Sequence, residues 1–230
     1  MASTGFAIPR RRRETLVAGA TGLVGRALID MLLADSAVGK VHALVRRMSP
    51  ELGKRSGLHQ HVVDYAGGIG SLPPLEDAFC CLGTTIKAAG SKQAFRAVDH
   101  DAVLAFARAA RAAGATRLCV VSALGADARS GIFYNRVKGE MEAAIATLGF
   151  PCVVIVRPSL LLGDREALGQ PVRFGERVAM AAAAPLGWLI PKSVRPIPAS
   201  TVARAMLRAV QMAPNGVHVL TSEQLLVLGA

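Results

Sequence analysis

The chain has 230 residues, 52% of them hydrophobic and 19% charged, with 27 Lys and Arg against 16 Asp and Glu for a net charge of +11. That hydrophobic fraction excludes a disordered chain, and at this length roughly 70% of the unfolded surface can be buried without a disulfide or metal staple. The basic balance points to an anionic partner, but aromatic residues make up only 4% and none interleaves with the Arg10–Arg13 run, which argues against a nucleic-acid surface built on base stacking.

Residues 1–13 read as a basic, solvated tail and 14–230 as one domain. Thr15–Gly19 is a short apolar run ending in glycine, expected as a first buried strand. Leu23–Ala34 follows with Leu23, Ala27, Met31 and Ala34 on one helical face. Lys40–Val45, His61–Asp64 and Asp77–Leu82 are expected as the second, third and fourth strands. Gln93–Ala113 reads as one long Ala-rich helix stopped by Gly114. Thr116–Ser122 is a fifth strand, Tyr134–Leu148 a helix ended by Gly149, and Pro151–Val156 a sixth strand. This alternation predicts an α/β fold: a Rossmann-like, doubly wound parallel sheet with helices on both faces. Beyond Arg157 the pattern becomes rich in Pro and Gly, with a helix at Ser200–Met212 and an apolar run at Val217–Leu220. Residues 157–230 are therefore expected to supply a small substrate-side region.

Several features are given ordinary roles. Cys80, Cys81, Cys119 and Cys152 lie in apolar runs without CxxC spacing, as expected of reduced core thiols in a cytoplasmic protein. His59 and His61 have no acidic or Cys partner at ligand spacing, so no metal is expected. The apolar Val178–Pro191 stretch is broken by Pro185 and Gly187, short of the ~20 continuous residues a membrane span needs. Phe174–Ile190, with Arg173, Arg177 and Lys192 nearby, is expected as a lid over the substrate pocket or as packing on the sheet, ahead of a membrane contact. A small-molecule substrate and a monomer or homodimer are expected, with no membrane partner.

Gly19, Gly22 and Gly25 stand at i, i+3 and i+6 between the first strand and the first helix. This spacing permits a tight turn, close approach of a pyrophosphate to the backbone, and close packing of helix on strand. Thr21, Leu23 and Val24 complete this expected dinucleotide loop. Proteins that bind NAD place an acid at the end of the second strand for the ribose 2′-hydroxyl. Here that strand runs into Arg46 and Arg47, whose guanidiniums can bind a 2′-phosphate that a carboxylate would repel, so NADP(H) is favoured over NAD(H). Asp64 is placed at the adenine edge. Leu82, Gly83, Thr84 and Thr85 are placed beside the cofactor.

Ser122 ends the fifth strand, and Tyr134 and Lys138 lie four apart on one face of the next helix. A nearby ammonium favours the phenolate of a tyrosine, making it a working acid–base group, while a serine hydroxyl holds the substrate oxygen. With Cys81-Leu-Gly-Thr-Thr-Ile-Lys-Ala-Ala-Gly90, Val98-Asp99, Ser122-Ala-Leu-Gly-Ala-Asp127, Tyr134-Asn-Arg-Val-Lys138-Gly-Glu140 and Arg157-Pro-Ser-Leu-Leu-Leu-Gly163, the chain resembles the atypical branch of the short-chain dehydrogenase/reductase superfamily. Within that branch it resembles the Tat-interacting-protein-like oxidoreductases. The resemblance implies NADP(H) held by Gly19, Gly22 and Gly25, a catalytic set of Ser122, Tyr134 and Lys138, and Arg157, Pro158 and Ser159 beside the nicotinamide. Many members carry Asn where this chain has Asp99, so that helix is not assigned a proton relay. The expected function is an NADP(H)-dependent oxidoreductase of a small carbonyl or alcohol. The alternative is a regulatory NADPH-binding protein with little turnover. A sugar-nucleotide epimerase fits less well, because the C-terminal region is short.

Overall fold

The computed structural model describes residues 12–163, 191 and 194–230. The strands are β1 (Arg13–Ala18), β2 (Val38–Val45), β3 (Leu58–Val62), β4 (Asp77–Cys80), β5 (Arg117–Val121), β6 (Cys152–Arg157), β7 (Leu161–Leu162), β8 (Ile197–Pro198) and β9 (Gly216–Thr221). Seven of them form one sheet in the order β3-β2-β1-β4-β5-β6-β9, with every neighbouring pair parallel. β7 and β8 pair separately. The expected parallel Rossmann-like sheet is present, with β9 as a seventh strand in it.

The strands are apolar on both faces because both are covered. Val17, Phe79, Cys119, Val154 and Val156 point into one layer. There they meet Val24, Leu28, Ile29 and Leu32 of α1 (Leu23–Ala34) and Val202, Met206 and Val210 of the helix Ala199–Met212. Leu16, Ala78, Leu118, Val153 and Ile155 point into the other. They meet Val103, Phe106 and Ala110 of the helix Ala102–Ala112 and Met141 and Ile145 of the helix Phe133–Ala146. Short helices α2 (Pro50–Gly53), α3 (Ile86–Ala89) and α4 (Lys92–Arg96) lie between; we number the longer ones α5 (Ala102–Ala112), α6 (Phe133–Ala146) and α7 (Ala199–Met212), followed by α8 (Ser222–Leu228).

Four expectations are corrected. The long helix expected at Gln93–Ala113 is α4 and α5 joined by a π-helical turn at Ala97–Asp101, where the Ala102 N–H reaches back to the Ala97 carbonyl. The third strand ends at Val62, leaving Asp64 in a turn where it bridges to Gly68. Arg13 belongs to β1 rather than to the tail, because its guanidinium reaches Asp35 at 3.3 Å and Asp77 at 3.2 Å; Arg117 holds the other oxygen of Asp77 at 2.6 Å. His61 does have an acid-linked partner. Its Nε2 lies 2.9 Å from His42 Nδ1, and His42 Nε2 lies 3.0 Å from Glu14 Oε2, because register brings β1, β2 and β3 side by side. No His, Cys, Asp or Glu cluster among the described residues has the arrangement to hold a metal.

The four thiols are free, and burial pushes the Cys80 thiol up to about 12, consistent with core packing rather than redox chemistry. Among the described residues no helix is long and apolar enough to cross a membrane. Arg10, Arg11 and the expected lid, Phe174–Ile190 with Arg173, Arg177 and Lys192, lie outside the described residues.

Burial, and then the neighbouring His42 and His59, lower the His61 pKa. The native state therefore binds fewer protons here than the unfolded chain, so this contribution to stability is lost as pH falls below about 6.5. Thermal melts from about pH 7.5 to about pH 5.5 are expected to show a falling Tm whose slope is shallower in His61→Gln. An unchanged slope in the variant would contradict this.

Candidate active site

The strand order reverses between β1 and β4, so the loops that leave their carboxyl ends diverge and open a crevice. Gly19 lines its base with φ +77, and a Cβ added there would lie 2.4 Å from the Cys81 carbonyl oxygen. A Cβ on Gly25 would lie 2.2 Å from the Gly19 carbonyl oxygen. These two glycines let α1 press onto the strand ends. Gly22 differs: its φ is −81, and an added Cβ would meet only the Gly19 oxygen at 3.3 Å. Its outer side faces open space. Among the described residues no side chain caps α1 and no acid stands in its first turn, so the N–H groups of Leu23, Val24 and Gly25 lack the usual competing acceptors there. This cradle fits a pyrophosphate. Thr21 is exposed on its rim.

The β1–β2 register sets Ala18 beside Leu44, so Arg46 follows level with the loop, and both Arg46 and Arg47 are exposed. Neither forms an ion pair among the described residues. Tyr65, which spacing did not single out, lies near Arg46 with a buried hydroxyl that has no hydrogen-bond partner among the described residues. Burial pushes its phenol above the usual range, against the pull of Arg46. Asp64 is exposed, and its Oδ1 accepts the Ala66 N–H within its own turn.

Across the crevice, Leu82, Gly83, Thr84 and Thr85 follow β4. Thr85 caps α3 by accepting the Ala88 N–H, and the Thr84 N–H donates to Asp99 Oδ2 at 2.8 Å. Ser122 follows β5; its hydroxyl oxygen is buried with no hydrogen-bond partner among the described residues. A buried hydroxyl of this kind, at a crevice floor, suits an incoming oxygen. Tyr134 and Lys138 lie one turn apart on α6, and the Tyr134 ring packs 5.1 Å from the Phe95 ring of α4. The Lys138 ammonium is 2.7 Å from Asp99 Oδ1 and 3.5 Å from the Val121 carbonyl, with side-chain exposures of 3% for Lys138 and 0% for Asp99. Lys138 and Asp99 are thus brought to the ends of β4 and β5, where Ser122 follows β5, and Tyr134 lies one turn before Lys138 against Phe95.

Arg157, Pro158 and Ser159 are held differently. Arg157 is held bidentately by Glu142 of α6, at 3.0 and 2.5 Å, lining a groove between α6 and β9. The Pro158 carbonyl accepts the Leu124 N–H. Ser159 donates to the Arg195 carbonyl and accepts from Ser222, tying the strand end to α8. Spacing alone could not reveal Glu142 or the Asp99 ion pair, since both depend on how helices pack against the sheet.

The family described as NAD(P)H-binding matches residues 19–212. The chain belongs to that family. Within it the chain is HTATIP2-like, with a fold like that of the short-chain dehydrogenase/reductase superfamily. It is 33% identical to the rat protein HTATIP2 over 226 residues, covering 95% of this chain and 90% of that one. It is 37% identical to the mitochondrial protein fmp52 of Emericella nidulans over 155 residues, 64% of this chain and 66% of that one. The fold matches MoeE5, solved with UDP-glucose and NAD, at a TM-score of 0.65 and 18% identity, over 94% of this chain and 81% of that one. It also matches a UDP-N-acetylglucosamine 4-epimerase from Methanobrevibacter ruminantium M1 at a TM-score of 0.68 and 15% identity, over 92% and 77%. At those identities the likeness speaks to fold alone.

The three glycines should separate by substitution. Gly22→Val is expected to keep a Tm close to the parent's but to lose the rise that NADPH gives, because the new side chain fills the anion cradle. Gly25→Ala is expected to destabilise the protein outright, by about 1–3 kcal/mol, through its clash with Gly19. A Gly22→Val protein still stabilised by NADPH would contradict the cradle.

Proposed function

We propose that the protein is an NADP(H)-dependent oxidoreductase that interconverts a small carbonyl compound and its alcohol. The buried Ser122 hydroxyl, which has no hydrogen-bond partner among the described residues and follows the Val121 carbonyl that Lys138 reaches, carries this reading. The α1 N-terminus with Gly19, Thr21, Gly22, Leu23, Val24 and Gly25 holds the pyrophosphate. Arg46 and Arg47 hold the 2′-phosphate, Asp64 borders the adenine, and Leu82, Gly83, Thr84 and Thr85 flank the nicotinamide half, with the backbone at Arg157, Pro158 and Ser159 following β6 on its far side.

When bound, the reduced cofactor supplies a hydride. Ser122 donates its O–H to the carbonyl oxygen and fixes it. Tyr134 gives its phenolic proton to that oxygen and regains one from solvent. Lys138 holds positive charge next to the tyrosine and reaches the nicotinamide-side ribose. A second reading, NADPH binding in a regulatory protein with little turnover, draws support from the Asp99 carboxylate, which offsets the lysine charge.

Titration calorimetry with NADPH and NADH tests the cofactor choice. The parent is expected to prefer NADPH, and Arg46→Ala with Arg47→Ala to weaken NADPH by about 1.5–3 kcal/mol while leaving NADH nearly unchanged. Equal affinities in the parent would contradict it. With a carbonyl that turns over, Tyr134→Phe is expected to lower kcat by ~100- to 10,000-fold at nearly constant NADPH affinity. A parental kcat in that variant would refute the proton-donor role, and NADPH binding without turnover across a broad carbonyl panel would favour the regulatory reading.

A further inference from the structure

We propose that Asp99 is a positioning residue: through its ion pair it pins the Lys138 ammonium beneath the backbone of Gly83 and so sets where that lysine meets the cofactor. The proposal rests on the oxidoreductase reading above, and it goes beyond it, because the resemblance places a neutral asparagine at this position.

The carboxylate and the ammonium come from different elements. Asp99 stands in the π-helical turn between α4 and α5, and Lys138 in α6. Their 2.7 Å contact is almost wholly out of water, at 3% and 0% side-chain exposure. The contact is an ion pair by distance rather than an aligned hydrogen bond, and among the described residues the ammonium donates to the Val121 carbonyl at the long distance of 3.5 Å. An ammonium buried with so little else depends on its counter-charge, since an unpaired buried ion is far costlier than a paired one. A neutral amide at residue 99 would supply an acceptor but no charge.

Asp99 is itself fixed from the cofactor side. Its Oδ2 accepts the Thr84 N–H at 2.8 Å. Gly83 covers the pair: a Cβ added there would lie 3.6 Å from Asp99 Oδ1 and 4.0 Å from Lys138 Nζ. One carboxylate therefore links the loop after β4, which borders the crevice, to the lysine on α6. The π-helical turn supplies the extra residue that lets this happen without breaking the helix, and such turns concentrate at functional sites.

The test is a double-mutant cycle read first without cofactor. Asp99→Asn keeps the shape and an oxygen for the Thr84 N–H but removes the charge; Lys138→Met keeps the stem and removes the partner charge. Each single variant is expected to lower Tm by on the order of 10 °C, and the double variant to recover most of that loss because no unpaired ion remains. If Asp99 merely packs a turn, removing the lysine charge rescues nothing, and Tm losses that simply add overturn the proposal.

The second reading is affinity. Asp99→Asn is expected to weaken NADPH and NADH by the same factor, about tenfold, because the lysine is displaced and the 2′-phosphate site is untouched. Parental affinity for both cofactors would show a pair that is structural only, and would overturn the positioning role. Should Asp99→Asn fail to fold, the double variant must fold, and Asp99→Glu, which keeps the charge but moves it by a methylene, carries the affinity measurement. A parent protein that binds neither cofactor would refute the oxidoreductase reading while leaving the cycle readable.

Discussion

The closeness with which α1 approaches β1 and β4 governs everything at the carboxyl edge of the sheet. A Cβ at Gly19 or Gly25 would come within 2.4 and 2.2 Å of backbone atoms, closer than any side chain tolerates. Because Gly19 takes a positive φ and lies against Cys81, the loop after β1 and the loop after β4 are locked to one another. That lock sets the uncapped end of α1 on one wall of the crevice and Gly83 and Thr84 on the other. Parallel register carries the geometry on through β5 to Ser122 and through β6 to Arg157. The anion cradle and the hydroxyl-bearing floor therefore share one rigid edge.

Buried charge is distributed with the same economy. At the amino edge, Asp77 is held between Arg13 and Arg117, joining β1, β4 and β5. At the carboxyl edge, Asp99 meets Lys138 and Glu142 meets Arg157, joining α6 to the π-helical turn and to β6. Each spans elements that the apolar core already brings together, and the Asp99–Lys138 pair, 0% and 3% exposed, leaves a costly unpaired ion when one partner is removed. The amino-edge pairs organise the fold, whereas the Asp99–Lys138 pair lies within reach of the crevice. The same kind of interaction thus ties strands together at one end of the sheet and, in the function we propose, serves chemistry at the other.

Much of this was legible in the residues themselves. Strands buried on both faces appear as unbroken apolar runs, and the glycine triplet and the Ser122, Tyr134 and Lys138 spacing are local patterns. What escaped depends on side-by-side packing. The π-helical turn is invisible because Phe95, Asp99, Val103 and Phe106 keep a near-helical period straight through it. The Glu14, His42 and His61 chain is set by sheet register, which brings together residues far apart in sequence. β9, with alternate residues exposed, has a weaker apolar signal than the central strands. Glu142 gives no hint of Arg157 until α6 is laid across β6.

The central claim is that one crevice holds the nicotinamide dinucleotide with its reactive end over Ser122, Tyr134 and Lys138. A crystal structure of the NADPH complex tests it most directly. The account predicts the pyrophosphate within hydrogen-bond distance of the N–H groups that open α1, the 2′-phosphate against Arg46 or Arg47, and the nicotinamide ring beside Ser122. NADPH bound elsewhere, or with its nicotinamide turned away from Ser122 and Tyr134, would contradict it.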